Sequence, residues 1–129
     1  MNILEKMKFR NDVARLIGRL SVKRNVVNFN AHNTVEHEMI KARICFELQK
    51  LGIHYITEAP FKKANSFQSG QADILVLDKC QVIEIMVSEK LSELEWKIRK
   101  FPKELEIIAV TNWQDYFSEN YKVIKHGVI

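Results

Sequence analysis

The segment GQADILVLDKCQVIEIMVSEK, residues 70–90, carries two apolar runs, 72–77 and 82–87, around a tight polar turn at Asp78 and Lys79. That pattern predicts a β-hairpin. The density of Ile, Leu and Val is that of strands buried on both faces. Two carboxylates interrupt it, Asp73 at the start of the first run and Glu84 in the middle of the second. An ionised carboxylate in such surroundings is costly unless something pairs with it. The short turn makes the strands antiparallel neighbours, with Asp73 and Glu84 opposite each other or one diagonal apart. Alternation points Glu84 and Met86 to one face and Ile83, Ile85 and Val87 to the other. Two acids so placed repel unless a cation lies between them, so the spacing points to an oxygen-ligand metal site. The alternative is a turn residue at Asp73 and a Glu84 paired with a core arginine or lysine.

Working outward, residues 53–61 read as a strand ending near Pro60, followed by a polar loop over 62–70. Residues 33–51 predict a long helix capped by Asn33 or Thr34 and stopped at Gly52. This helix has two apolar stripes, Val35, Met39, Ala42 and Phe46 on one flank and Ile40, Ile44, Leu48 and Leu51 on the other. A helix apolar on two flanks is expected to pack on more than one neighbour. Downstream, Ser88 is placed to cap a helix over 89–101, with Leu91, Leu94, Trp96 and Ile98 on its faces and Pro102 after it. A strand over 105–111, a short helix over 113–121 and a strand over 122–125 complete the chain. At the other end, Asn2 and Glu5 have capping-box spacing, and Val13, Leu16, Ile17 and Leu20 recur at helical intervals, predicting a helix over 2–20. Residues 21–33 read as a connector with a short strand at 26–29. The order from residue 33 onward argues an α/β domain with a mixed sheet flanked by helices. Residues 1–32 form a basic arm and connector, and 33–129 the core domain.

The chain of 129 residues fits one domain, and its 47% apolar and 28% charged residues are ordinary for a globular protein. No apolar run reaches the ~18 residues of a membrane span, and the N-terminus lacks a secretory apolar core. Cys45 and Cys80 lack metal-ligand spacing and read as reduced core residues of a cytoplasmic protein. His32, His37, His54 and His126 are scattered, each more readily a surface or satisfied residue than a ligand. Charge is uneven. Residues 1–30 hold seven bases against two acids, a surplus of five against +4 for the whole chain, so the remainder sums to −1. A basic arm on a near-neutral body suggests an anionic partner, nucleic acid first.

Acids at Asp73 and Glu84, on the second and third strands of a helix–three strands–helix–strand order, resemble the PD-(D/E)XK superfamily, the restriction-endonuclease-like phosphodiesterases. The likeness covers residues 33–111. It implies a restriction-endonuclease-like αβββαβ core, with the N-terminal basic helix as an addition. It further implies a metal-dependent DNA endonuclease using Mg²⁺ or Mn²⁺, a homodimer in the manner of small archaeal and viral nucleases and Holliday junction resolvases, with structure-selective cleavage among the expected activities. The segment TVEHEMIKARICFELQKLG, residues 34–52, is similar to the first core helix, on which many members carry a glutamate of the metal shell. By resemblance that ligand is Glu36, with Glu38 as its substitute, although Glu36 also has capping-box spacing from Asn33. The family motif ends in E-x-K, whereas Glu84-Ile85 is followed by Met86, which can neither orient a water nor stabilise phosphate charge. A lysine from elsewhere is then expected, Lys90 first, with Lys97 and Lys41 behind it. Hard carboxylate ligands suit Mg²⁺ or Mn²⁺ rather than zinc or copper. In this reading Lys8, Arg15, Arg19, Lys23 and Arg24 grip phosphates, with Lys62 and Lys63 on the loop beside the substrate. The alternatives are a catalytically degenerate nuclease fold serving as a DNA-binding module and a protein-interaction domain with no nucleic-acid role.

Overall fold

The structure, a computed structural model, describes residues 1–17, 23–62, 69–99 and 101–124, with Lys62, Ser69 and Gly70 described by backbone alone. Five strands, β1 (Tyr55–Lys62), β2 (Ser69–Val76), β3 (Gln81–Ile85), β4 (Glu106–Val110) and β5 (Lys122–Ile124), form one sheet in chain order. All neighbours are antiparallel except β3 and β4, which run parallel. A parallel pair needs a crossover, and the helix α3 (Leu91–Ile98) supplies it. The expected class, α/β with a mixed sheet and flanking helices, is therefore the observed one.

Three more helices complete the layers: α1 (Ile3–Ala14), α2 (Val35–Lys50) and α4 (Gln114–Phe117). On one face of the sheet, Val13 and Ile17 from α1 and the turn after it, with Leu94 and Ile98 from α3, pack on Leu75, Leu77, Val82 and Ile107. On the other, Ile44, Cys45 and Leu48 of α2 and Tyr116 of α4 pack on Ile74, Val76, Ile83, Ile85 and Ile108. Each such side chain contributes roughly 1.5–3 kcal/mol on burial. This two-sided burial explains the near-continuous apolar runs of β2, β3 and β4.

Local chemistry sets the ends. Asn2 Oδ1 accepts from the Glu5 amide at 2.8 Å, and Thr34, not Asn33, caps α2 by accepting from the His37 amide at 3.1 Å. Gly52, at φ 71°, closes α2: its own amide reaches the Gln49 carbonyl and the Ile53 amide reaches Leu48, the paired bonds of a Schellman ending. Three expectations need correction. Ser88 does not cap α3; the helix begins at Leu91 after Lys90, which makes no side-chain capping bond. The connector over 26–29 is not a strand. It covers the β1 edge through side chains instead: Asn28 N donates to Thr57 Oγ1 at 2.8 Å, Thr57 Oγ1 donates to the Val26 carbonyl at 2.9 Å, and Tyr55 N donates to Asn25 Oδ1 at 3.1 Å. An edge strand covered in this way is not a template for pairing. The N-terminal helix expected over 2–20 ends at Ala14, with residues 15–17 in a turn, and residues 18–20 lie outside the described residues.

Among the described residues no helix is long and apolar enough to cross a membrane. Cys45 and Cys80 are both free thiols, and burial pushes Cys45 up to about 12.

Candidate functional site

A slip in the sheet creates the site. In β1, Ile56 and Ala59 share one core face although they are three residues apart, and in β2 Ala72 and Leu75 do the same. A strand alternates faces every residue, so each strand has turned over by one position. Both do so at the same level, between the pairs Thr57↔Ile74 and Ala59↔Ala72. The skipped residues are Glu58, at φ 50°, and Asp73. Left-handed backbone at a non-glycine residue costs of order 1–3 kcal/mol and persists where surrounding contacts impose it. The β2–β3 ladder likewise stops at Ile74↔Ile83, one step short of Asp73 and Glu84. Glu58, Asp73 and Glu84 thus lie at one level across three adjacent strands, where backbone pairing lapses. The Ile85 amide donates to Asp73 Oδ2 at 2.8 Å in place of a strand partner.

The two helix layers meet this row from opposite sides. Packing of Ile44, Cys45 and Leu48 fixes which side of α2 faces the sheet, and His37, Glu38 and Lys41 share that side at helical spacing. His37 Nε2 is 3.2 Å from Asp73 Oδ2 and its Nδ1 is 2.7 Å from Glu38 Oε2. Lys41, 0% exposed, donates to Glu38 Oε1 at 2.6 Å and to Glu58 Oε1 at 2.8 Å. Glu38 also accepts from the Asn30 amide and from Asn33 Nδ2. From α3, Lys97 Nζ donates to Glu84 Oε2 at 3.1 Å. The other oxygen, Glu84 Oε1, is buried and receives a hydrogen bond from no N–H or O–H donor among the described residues.

Four carboxylates face three cationic groups here, leaving one negative charge over. The titration of the groups reflects it. Burial and the neighbouring Asp73 charge push Glu84 well above the usual carboxylate range, with Lys97 only partly opposing. Burial acts against Asp73 as well, but hydrogen bonds from His37 and the Glu84 carboxyl, with the Lys97 charge, hold it down at about 2. Burial and the Asp73 charge thus favour the protonated form of Glu84, the form able to donate to Asp73. Burial disfavours the His37 cation, yet the bonds and charges of Asp73 and Glu38 outweigh it and raise His37 to about 8.

A stability prediction follows from His37. Its folded value lies above the unfolded 6.5, so its contribution is complete below that pH and is lost as pH rises through about 8. The difference corresponds to roughly 2 kcal/mol. Denaturant titrations in chelator are expected to show wild-type stability declining across this window, with a clearly flatter profile in His37→Gln. Parallel profiles for the two proteins would remove His37 from the account.

Asp73 and Glu84 are brought together. Glu36 is not with them: it lies on the exposed outer side of α2, and Glu38 occupies the inward position. Lys90 is exposed at the start of α3, and the amine at Glu84 belongs to Lys97. Lys8, Arg15, Lys23 and Arg24 are exposed, with Arg15 beside Asp12 at 3.3 Å and Arg24 donating to Asn11 at 2.9 Å. Arg19, Lys63 and the Lys62 side chain lie outside the described residues. Glu58 escaped the sequence reading altogether; its one signal was an acid within the β-prone run YITEAPF. Among the described residues no group of three or more His, Cys, Asp and Glu side chains is arranged to hold a metal ion. No family model, curated protein or solved structure matches the chain.

Proposed function

We propose that the protein is a metal-dependent DNA endonuclease with a restriction-endonuclease-like core, α2 to β4, and that Asp73 and Glu84 hold its cation. The observation that carries this reading is the buried Glu84 Oε1, lacking any donor, beside a second buried carboxylate. A proton or a divalent cation would each satisfy that oxygen, and both relieve its repulsion from Asp73. Mg²⁺ is commonly held by only one or two carboxylates, its other positions filled by waters and substrate phosphates, so a site without a third convergent ligand still fits. When bound, such an ion supplies Lewis acidity, activating a water and neutralising phosphate charge.

The chain's own residues supply the rest. His37 and the Ile85 amide hold Asp73 Oδ2 in place, and Glu38 orients His37 from behind. Lys97, part-exposed and already at Glu84, is the ammonium for the phosphate, in the role that Met86 cannot fill. Exposed Lys8, Arg15, Lys23 and Arg24 provide sequence-independent phosphate contacts.

The test uses supercoiled, single-stranded and branched DNA with Mg²⁺ or Mn²⁺. Wild type is expected to cleave, and Asp73→Asn and Glu84→Gln to fold and not cleave. Mn²⁺ should also raise the melting temperature of wild type but not of Glu84→Gln. A second reading, a degenerate fold that holds DNA for a partner, draws on the same geometry. Lys97 and His37 already neutralise most of the charge on the acids, so the site is close to balanced without metal. Salt-sensitive DNA binding with neither cleavage nor a metal-induced shift would select that reading.

A further inference from the structure

The outer side of α2 has no use in the proposed chemistry, yet it is strongly apolar. Val35, Met39 and Phe46 are 80%, 63% and 57% exposed, and half-buried Ala42 completes the row. Their intervals of four, three and four are those of a heptad seam, in which alternate residues knob into a facing helix. The opposite stripe, with Ile44 and Leu48, is the one spent on the sheet. A stripe of this kind, continuous along the helix, marks an interaction surface rather than scattered surface apolarity.

We infer that this face docks a second copy of the chain, α2 against α2, in antiparallel orientation. The charges beside the seam decide the occupant. Along one flank Glu36 stands near the N-terminal end, with Arg43 and Lys50 toward the C-terminal end. In an antiparallel pair the same flank of each helix meets its copy, so Glu36 of one faces the Arg43 and Lys50 end of the other, twice. A parallel pair would lose that match, and antiparallel axes also oppose their macrodipoles favourably. Arg43 remains half-exposed although it stacks on Trp113 at 4.0 Å and bonds Glu47 at 3.2 Å. A membrane surface fits poorly, because the flank carries Glu36 and Glu47 as well as Arg43 and Lys50, not the basic border that anionic lipid selects. Glu36, which the resemblance assigns to metal, has its role here at the seam.

Sedimentation equilibrium of the full chain across a concentration series from micromolar to millimolar is the test. Wild type is expected to form a dimer. Met39→Glu and Phe46→Arg, at exposed positions that leave the circular dichroism spectrum unchanged, should weaken it by roughly thirtyfold or more, as loss of a central anchor does. Glu36→Arg alone should weaken the dimer, and Glu36→Arg with Arg43→Glu should restore it. A monomer at every concentration, a dimer indifferent to Met39→Glu and Phe46→Arg, or a double charge swap that fails to restore would each overturn the inference. These readouts need neither metal nor DNA, so they stand apart from the cleavage assay.

Discussion

Lys97→Met is expected to lower metal-dependent strand cleavage by about 10²–10³-fold, the usual cost of removing one preorganised charge stabiliser, while Lys90→Met leaves the rate nearly unchanged. Both lysines belong to α3 or its cap, but seven residues of helix separate them by roughly 10 Å along its axis. Leu94 and Ile98 are buried and fix the rotation of the helix. Lys97 then hangs over the sheet at Glu84, 3.1 Å away, while Lys90 caps the far end in solvent. Glu84 and Asp73 strengthen the charge on Lys97 against the effect of its own burial, so it stays cationic at the pH of the assay. The substitution should not unfold the protein. Losing the ammonium raises Glu84 further, and a protonated Glu84 needs no counter-charge. Lys97→Arg, which keeps a cation on a different shape, should recover part of the rate. Full activity in Lys97→Met, or abolition by Lys90→Met, would assign the ammonium role elsewhere.

The contrast between these lysines also shows what the amino-acid order can convey. The hairpin was legible because burial on two faces leaves an unmistakable apolar run, and because a short turn admits few registers. Asp73 and Glu84 are neighbours for that reason. Rotational phase was harder. α2 has two apolar stripes of equal strength, and nothing in their composition says which one meets the sheet. Once Ile44, Cys45 and Leu48 go inward, helical geometry carries Glu38 and Lys41 with them and turns Glu36 out. For α3 the missing fact was its start, at Leu91 after Lys90 rather than after Ser88; Leu94 and Ile98 set the phase that brings Lys97, not Lys90, to Glu84. Glu58 was the least accessible. Regular alternation would have paired it across from Asp73 as an ordinary strand residue, and only its left-handed backbone turns both strands over together. The residue that makes the irregularity also bonds Lys41 on α2, a tertiary contact that no local pattern encodes.

Lys41→Met should destabilise the protein by about 3–5 kcal/mol, the cost of leaving buried carboxylates without their cation. Methionine keeps most of the stem volume, so the loss isolates charge from packing. Lys41 is fully enclosed, with the exposed Phe29 ring 5.9 Å from its amine, and it ties Glu38 on α2 to Glu58 at the slip in β1. The two acids do not suffer equally. Glu38 keeps its bonds from Asn30, Asn33 and His37, whereas Glu58 has no other partner among the described hydrogen bonds and must turn toward water. Relief is therefore expected in Lys41→Met/Glu58→Gln, which should regain about half of the lost stability in denaturant titrations at neutral pH. The deficit also has a defined pH dependence. Burial acts to raise Glu38, but Lys41 and its other donors lower it below the ordinary 4.5, so the Lys41 contribution is present above that pH and fades on acidification. Wild type and Lys41→Met should converge as pH falls from 4.5 through the lowered Glu38 value, where protonated Glu38 no longer requires a partner. A difference smaller than about 1 kcal/mol at neutral pH, or one that persists unchanged into acid, would mean that the Glu38–Lys41–Glu58 bridge does not hold α2 to the sheet.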